Sequence, residues 1–161
     1  MSDLVADGNV KVSWCTAIAN IHAPTVSELT GGGATSLETY VTPNGLNDKA
    51  TTASVDTSSL ASTFSTATAG RRSFDISIEF KRQTPAANDI AYNLLPYKSS
   101  GYLVIRRTLP VATGYASTQT VEVYPVITGE PELSQPAANE VQKFTSNFFL
   151  TSDPDTRAVI A

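Results

Sequence analysis

The sequence is short of charge. Only 16% of its 161 residues are Asp, Glu, Lys or Arg, against about 25% in an ordinary soluble domain. The formal net charge is −4, so no excess of basic side chains is available to neutralise phosphates, which argues against a nucleic-acid binder. There is one cysteine, Cys15, so no internal disulfide can form and no oxidising compartment is required. The one histidine, His22, does not make a zinc ligand set with it. No apolar run is long enough to span a bilayer. Residues 1–7 lack the basic segment and apolar run of a secretory signal. The expectation is a chain made and folded in a cytoplasm, with no cofactor and no membrane partner. No internal repeat of solenoid length is visible.

Ser, Thr and Ala take the place of charge. A surface of that kind suits extensive contact with other protein. The length predicts one domain over residues 1–161, able to bury about 70% of the surface its unfolded chain exposes.

The most legible stretch is 73–83. Phe74, Ile76, Ile78 and Phe80 alternate without a break with Ser73, Asp75, Ser77, Glu79 and Lys81, the period-2 pattern of a half-buried strand. Thr84-Pro85 then reads as N-cap and first helical residue. Ala87, Ile90, Ala91, Leu94 and Leu95 follow at helical spacing, Asp89 stands where a helix dipole favours it, and Pro96 ends the run. Residues 101–107 form the next strand. This helix must lie across a sheet to bury its stripe.

Elsewhere the pattern predicts strands at 9–15, 37–41, 119–127, 140–151 and 158–161. Residues 18–22 are read as extended, and 23–29 as a helical turn or loop. Pro125 points to an edge or a bulge, and Thr42-Pro-Asn-Gly45 to a turn. Residues 108–118 and 129–138 read as loops. Residues 48–70 carry little but Ser, Thr and Ala, with Val55, Leu60 and Phe64 as spaced apolar anchors. So little apolar area does not offset the entropy of ordering the segment alone, so a long loop ordered by a neighbour is expected. About seven strands and one helix make a mainly β fold, a β-sandwich or partly open barrel with a flanking helix.

The search for chemistry returns little. Gly31-Gly-Gly33 has no Gly-Lys-Ser/Thr after it, so it is a turn and not a phosphate loop. No motif surrounds Cys15 or His22 that would make them nucleophile and base. Asp75 and Glu79 share a strand face but stand about 13 Å apart, wide for acid–base work. Arg71-Arg72 and Arg106-Arg107 point to opposite faces within each pair and are expected in salt bridges. No catalytic or metal-binding residue is assigned.

Several segments carry a family resemblance. They are Ala23-Pro-Thr-Val-Ser-Glu-Leu-Thr-Gly-Gly32, Tyr40-Val-Thr-Pro-Asn-Gly-Leu46, Val55-Asp-Thr-Ser-Ser-Leu60, Gly101-Tyr-Leu-Val-Ile-Arg-Arg107, Val121-Glu-Val-Tyr-Pro-Val126 and the stretch from Asn139-Glu-Val-Gln-Lys-Phe144 to Thr151-Ser-Asp-Pro154. In their order, and over nearly the whole chain, they resemble the major tail protein, the tail-tube subunit, of a long-tailed siphophage. The resemblance implies a structural virion protein and not an enzyme. It implies hexameric rings stacked into a tube, with an inner barrel continued from ring to ring and a long loop reaching a neighbour. Implied partners are further copies of the chain, a tape measure protein, a tail terminator and tail-tip proteins, with DNA passing through the lumen unbound.

On that reading Asn44, Gly45, Leu46, Val55, Leu60 and Phe64 are the candidate inter-subunit contacts. A basic lumen would hold DNA, so the carboxylates Asp75, Glu79 and Glu122 are the lumen candidates. The alternative is a β-sandwich binding module, for capsid decoration or for carbohydrate through Trp14, Tyr92, Tyr97 and Tyr124.

Overall fold

The computed structural model describes residues 3–161; Met1 and Ser2, the start of the stretch read for a signal sequence, lie outside them. In chain order the elements are β1 (Lys11–Cys15), α1 (Val26–Thr30), β2 (Ala34–Ser36), β3 (Val41–Asp56), β4 (Ala67–Lys81), a 3-10 turn (Ala86–Asn88), α2 (Ile90–Leu94), β5 (Ser100–Arg106), β6 (Thr120–Thr128), β7 (Glu132–Leu133), β8 (Lys143–Leu150) and β9 (Asp155–Val159). All strand pairs are antiparallel. The sheet runs β2-β1-β5-β6-β8-β4-β3, with β7 beside β8 and β9 beside β6, and does not close into a barrel.

The sheet creases where β6 meets β8. These strands share only Val126↔Leu150, Ile127↔Phe149 and Thr128↔Phe148. Away from that seam β6 pairs with β9 and β8 with β7. Pro125, which has no N–H to give to a ladder, lies between the β9 pairing, ending at Val123, and the β8 pairing, starting at Val126. The two halves then face each other. Val12, Trp14, Leu103 and Ile105 from one half share a buried cluster with Ile76, Ile78, Phe80 and Phe144 from the other. Trp14 meets Phe148 across the gap at 6.2 Å between ring centroids, and Phe80 stacks on its cross-strand partner Phe144 at 5.2 Å. The alternation read in residues 73–83 is therefore the inner face of β4.

The first half is buried on its second face as well. Cys15, Val104, Val121 and Val123 pack there against Ile18, Leu29, Tyr115, Ala158 and Ile160. This is why β5 reads as a nearly continuous apolar run. Arg106 ends that run fully buried, and among the described residues it is in no salt bridge. Its guanidinium donates to the carbonyls of Pro110, Thr113 and Gly114 and to Gln119 Oε1, at 2.7–3.1 Å. It organises the 108–119 connection from inside.

Three local expectations are corrected. The helix near residue 90 is shorter than its stripe. Pro85 is the N-cap of the 3-10 turn with no side-chain cap, and Ile90 is exposed. Ala91 and Leu95 enter the core and Leu94 packs against it half-buried, with Tyr92 edge-on to Phe144. Asp89 does stand at a helix start, as the N-cap residue of α2, but its side chain makes no cap and is the buried partner of Arg82. The fully developed cap is at α1, where Thr25 and Glu28 form a capping box.

The strand expected at 37–41 is split. β2 precedes it, Leu37 is buried in a turn, and β3 begins at Val41. Thr42-Pro-Asn-Gly45 is not a hairpin turn but a bulge inside β3: between Val41↔Phe80 and Leu46↔Ile78, five residue steps oppose two. A Cβ on Gly45 would collide with Thr42 Oγ1 and the Glu79 carbonyl, so the bulge requires glycine.

The largest difference is at 48–70. This segment is a hairpin and not a loop. β3 and β4 stay paired out to Asp56↔Ala67, while β4 pairs with β8 only from Ile76 onward. The nine residues 67–75 therefore run beyond the body as half of a two-stranded arm, about 30 Å long at 3.3–3.4 Å per residue. Main-chain ladder bonds and β-branched Thr51, Thr52, Val55 and Thr68 hold it. An argument from apolar area alone misses both.

Candidate assembly surfaces

The arm is closed by a ten-residue tip, 57–66, that bonds to itself. Thr57 N–H donates to the Thr66 carbonyl at 2.9 Å, the two threonine hydroxyls meet at 3.0 Å, and Ser59 and Ser62 hydroxyls meet at 3.0 Å. Ser58 donates from its hydroxyl and its backbone N–H to Asp56 Oδ1, which lowers the Asp56 pKa. From Thr57 to Gly70 there is no charged residue. Leu60 at the tip is fully exposed, Phe64 is 79% exposed and Val55 is 48% exposed. Apolar side chains so placed contribute nothing to this chain's own core.

The predicted contact residues fall in two places. Val55, Leu60 and Phe64 are on the arm. Asn44, Gly45 and Leu46 belong to the bulge at its root, Asn44 exposed and Leu46 packed against the core. The terminal strands of the sheet are β2 and β3, and the outer edge of β3 pairs with no other strand among the described residues.

The predicted lumen residues are also divided. Asp75 and Glu79 lie with Ser77 on the outer face of β4, which is not covered. That face continues through Asn47 and Lys49 of β3 and Lys143, Thr145 and Asn147 of β8. Lys49 opposes Asp75 in register, and Lys143 Nζ stands 4.0 Å from Glu79 Oε1, which also accepts from Thr42 Oγ1 at 2.8 Å. The face is polar and carries both signs. The lysines that balance it escaped the sequence reading because they come from strands not then placed beside β4.

Glu122 is not on that face. It lies on β6 on the side of Tyr124 and Val126, at the rim of the inner cluster, and accepts from Arg107 Nε at 3.0 Å. Arg107 also reaches Asp48 of β3, at 2.5 Å. Tyr124 Oη donates to Glu122 Oε2 at 3.1 Å. Burial works against the charge on Arg107, but Glu122 and Asp48 outweigh it and raise its pKa. Burial, then the same two carboxylates, push the Tyr124 hydroxyl well above its usual value. This node ties the root of the arm to the opposite half of the sheet. The expected salt bridging therefore holds for Arg107, and for Arg72, which lies 3.6 Å from Asp153.

The remaining candidates for chemistry are apart from one another in role. Cys15 is fully buried, and burial pushes its thiol up to about 11. His22 Nδ1 pairs with Asp155 Oδ2 at the surface. Among the described residues no three His, Cys, Asp or Glu side chains are grouped to hold a metal ion. No helix there is long and apolar enough to cross a membrane. Trp14 and Tyr124, two of the four aromatics offered for a sugar platform, are buried in the core.

No curated protein matches the sequence. Among solved structures, a chain in the baseplate of the anti-feeding prophage, determined by cryo-electron microscopy with six-fold symmetrisation, has a similar fold: TM-score 0.58, 12% identity, 96% of each chain covered. The sequence itself matches the phage tail tube protein family over residues 1–161. With its apolar-tipped arm, an open sheet edge and an uncovered polar face, this is a structural component of a virion tail and not an enzyme: the chain belongs to the phage tail tube protein family.

Proposed function

We propose that six copies of the chain close into a ring and that rings stack into the tube of a siphophage tail, through which DNA leaves the particle. The observation that carries this reading is the arm: an ordered two-stranded projection with exposed apolar residues at its end and free edges along its length. In a monomer such a feature is an aggregation liability. In a cyclic assembly the same surfaces are covered by the next copy. Six is supported by the similar fold in an assembly solved with six-fold symmetry.

The lumen surface on this reading is the outer face of β3, β4 and β8, with Asp75 and Glu79. Its mixed charge gives passing phosphates no continuous basic track. Glu122, engaged with Arg107, is the weakest of the three lumen candidates. The chain is one structural unit, assembles in the host cytoplasm, and meets a tape measure protein inside the tube and terminator and tip proteins at its ends.

The test is assembly of the purified full-length protein, followed by sedimentation and negative-stain microscopy across a range of concentrations. Six-membered rings and stacked tubes are expected. A trimer, or a monomer at every concentration and in the presence of a tail-tip nucleus, would sink the reading in favour of a decoration module.

A further inference from the structure

The arm is not one uniform ladder. From Leu46↔Ile78 to Thr52↔Arg72 the pairing of β3 with β4 is regular, and it is regular again from Ser54↔Ala69 to Asp56↔Ala67. Between the two stretches Ala53 alone faces both Gly70 and Arg71. This is a β-bulge: one strand carries an extra residue, and the ladder is interrupted there. Gly70 permits the close approach of the strands at this point. A Cβ on it would lie 2.8 Å from Val55 Cγ2 and 3.1 Å from the Ala53 carbonyl oxygen. Arg71 is exposed and, unlike Arg72, is in no ion pair among the described residues.

The bulge coincides with the limit of support from the body. On its inner side the arm is braced at Phe74, Asp48 and Arg72. The Phe74 ring lies edge-on to Tyr124 at 5.7 Å between centroids, Asp48 is held by Arg107, and Arg72 lies 3.6 Å from Asp153. Beyond the bulge, among the described residues, no side-chain hydrogen bond or ion pair joins residues 53–70 to the rest of the chain; those that form there stay within the segment. Every residue from 53 to 69 except Ser58 is exposed. The distal piece still has a shape of its own, set by the pairs from Ser54↔Ala69 to Asp56↔Ala67 and by the closed tip.

A two-stranded ribbon with neither face packed owes its stiffness to its ladder. Where the ladder is interrupted, its resistance to bending and twisting is least. We propose that the bulge at Ala53, Gly70 and Arg71 is a joint, about which residues 54–69 swing as one body while the braced root stays fixed to the core. The tip then sweeps a range of directions with its apolar side chains already in place. A swing of this kind takes nanoseconds to microseconds, so it is complete before two subunits at ordinary concentrations meet. It is a property of the single chain and stands or falls without the ring and the tube.

Spin labels on the full-length chain test it by pulsed electron resonance, with buried Cys15 left unlabelled. Thr156→Cys on β9 is paired in turn with Thr51→Cys on the root and with Ala61→Cys at the tip. A third chain carries Ser54→Cys and Ala61→Cys, both on the distal piece. All these sites are exposed. The distance distribution between 156 and 61 is expected to be broad, and those between 156 and 51 and between 54 and 61 narrow. Removing Arg71 leaves Gly70 opposite Ala53 and keeps every other pair of the arm. The distribution between 156 and 61 should then collapse to the width of that between 156 and 51. An unaltered arm in which the two are equally narrow would overturn the joint. So would a broad distribution between 54 and 61, which would mean that the tip frays instead of swinging. A folded chain without Arg71 that keeps the broad distribution would overturn it too, by placing the motion elsewhere. The distributions from the unaltered arm decide the matter even if the shortened chain does not fold.

Discussion

At the scale of single residues, the two adjacent arginines show how differently one side chain type is used. Arg106 is enclosed, its two terminal nitrogens donating to carbonyls while its buried Nε has no partner among the described residues, whereas Arg107 joins two carboxylates from different strands. Removing Arg107 leaves Asp48 and Glu122 facing each other without a cation. We expect Arg107→Ala to cost about 1–2 kcal/mol, the range for charge-assisted hydrogen bonds discounted for partial exposure, seen as a lower urea midpoint. Arg107→Lys should restore only part of it, because an ammonium cannot span both carboxylates as a guanidinium does. An Arg107→Ala chain as stable as the parent would show the node to be incidental. Nothing in the sequence distinguished these two residues. Strand alternation said only that they point to opposite sides, and the side each one meets is set by partners far away in the chain.

Among elements, legibility followed the source of order. Where apolar residues pack on one face, as in β4 and β8, the periodicity carried both the element and its inward face; in β5, buried on both faces, it carried the element alone. Where hydrogen bonding alone keeps the chain in place, it did not. The arm looked like a loop because its Ser and Thr residues bury nothing. The Pro-Asn-Gly stretch looked like a hairpin turn because turn chemistry also suits a bulge. The candidate contact residues were grouped together on the sequence, whereas the fold sets Leu46 at the root of the arm and Leu60 at its tip.

The helix α1 is the clearest case of local chemistry that the sequence carries in full. Glu28 accepts from the backbone N–H of Thr25 and of Ala19, each at 2.8 Å, and from the Thr25 hydroxyl. Those bonds, the backbone one from Thr25 first, lower its pKa below the ordinary 4.5. Because the folded value is the lower one, the stabilisation is present above pH 4.5 and lost as pH falls through the depressed value. Glu28→Gln should therefore be less stable than the parent near neutrality, and the gap should close in acid. A gap that is constant with pH would mean that the carboxylate charge has no part in it. Thr25→Ala should cost about 1 kcal/mol through the lost cap.

For the whole molecule, the creased sheet separates two tasks. The half formed by β1, β5 and β6 is buried on both faces, so it gives stability and little surface. The other half is covered on one side only and ends in the arm, so it gives surface and reach. A subunit built this way can lose the use of its arm without losing its fold, which is why tip substitutions are informative about assembly.

The self-bonded tip has a kinetic consequence. A segment that had to order on contact would add a unimolecular step to each encounter, and growth would level off once collisions outran it. An arm already in its binding shape adds no such step. Elongation should then stay first order in free subunit up to high concentration, with a bimolecular constant in the ordinary protein–protein range of about 10⁵–10⁷ M⁻¹s⁻¹. Stopped-flow light scattering on seeded ends would read it directly. A plateau in the growth rate, removed by a cross-link between the strands of the arm, would mean that the arm waits for its partner before it takes shape.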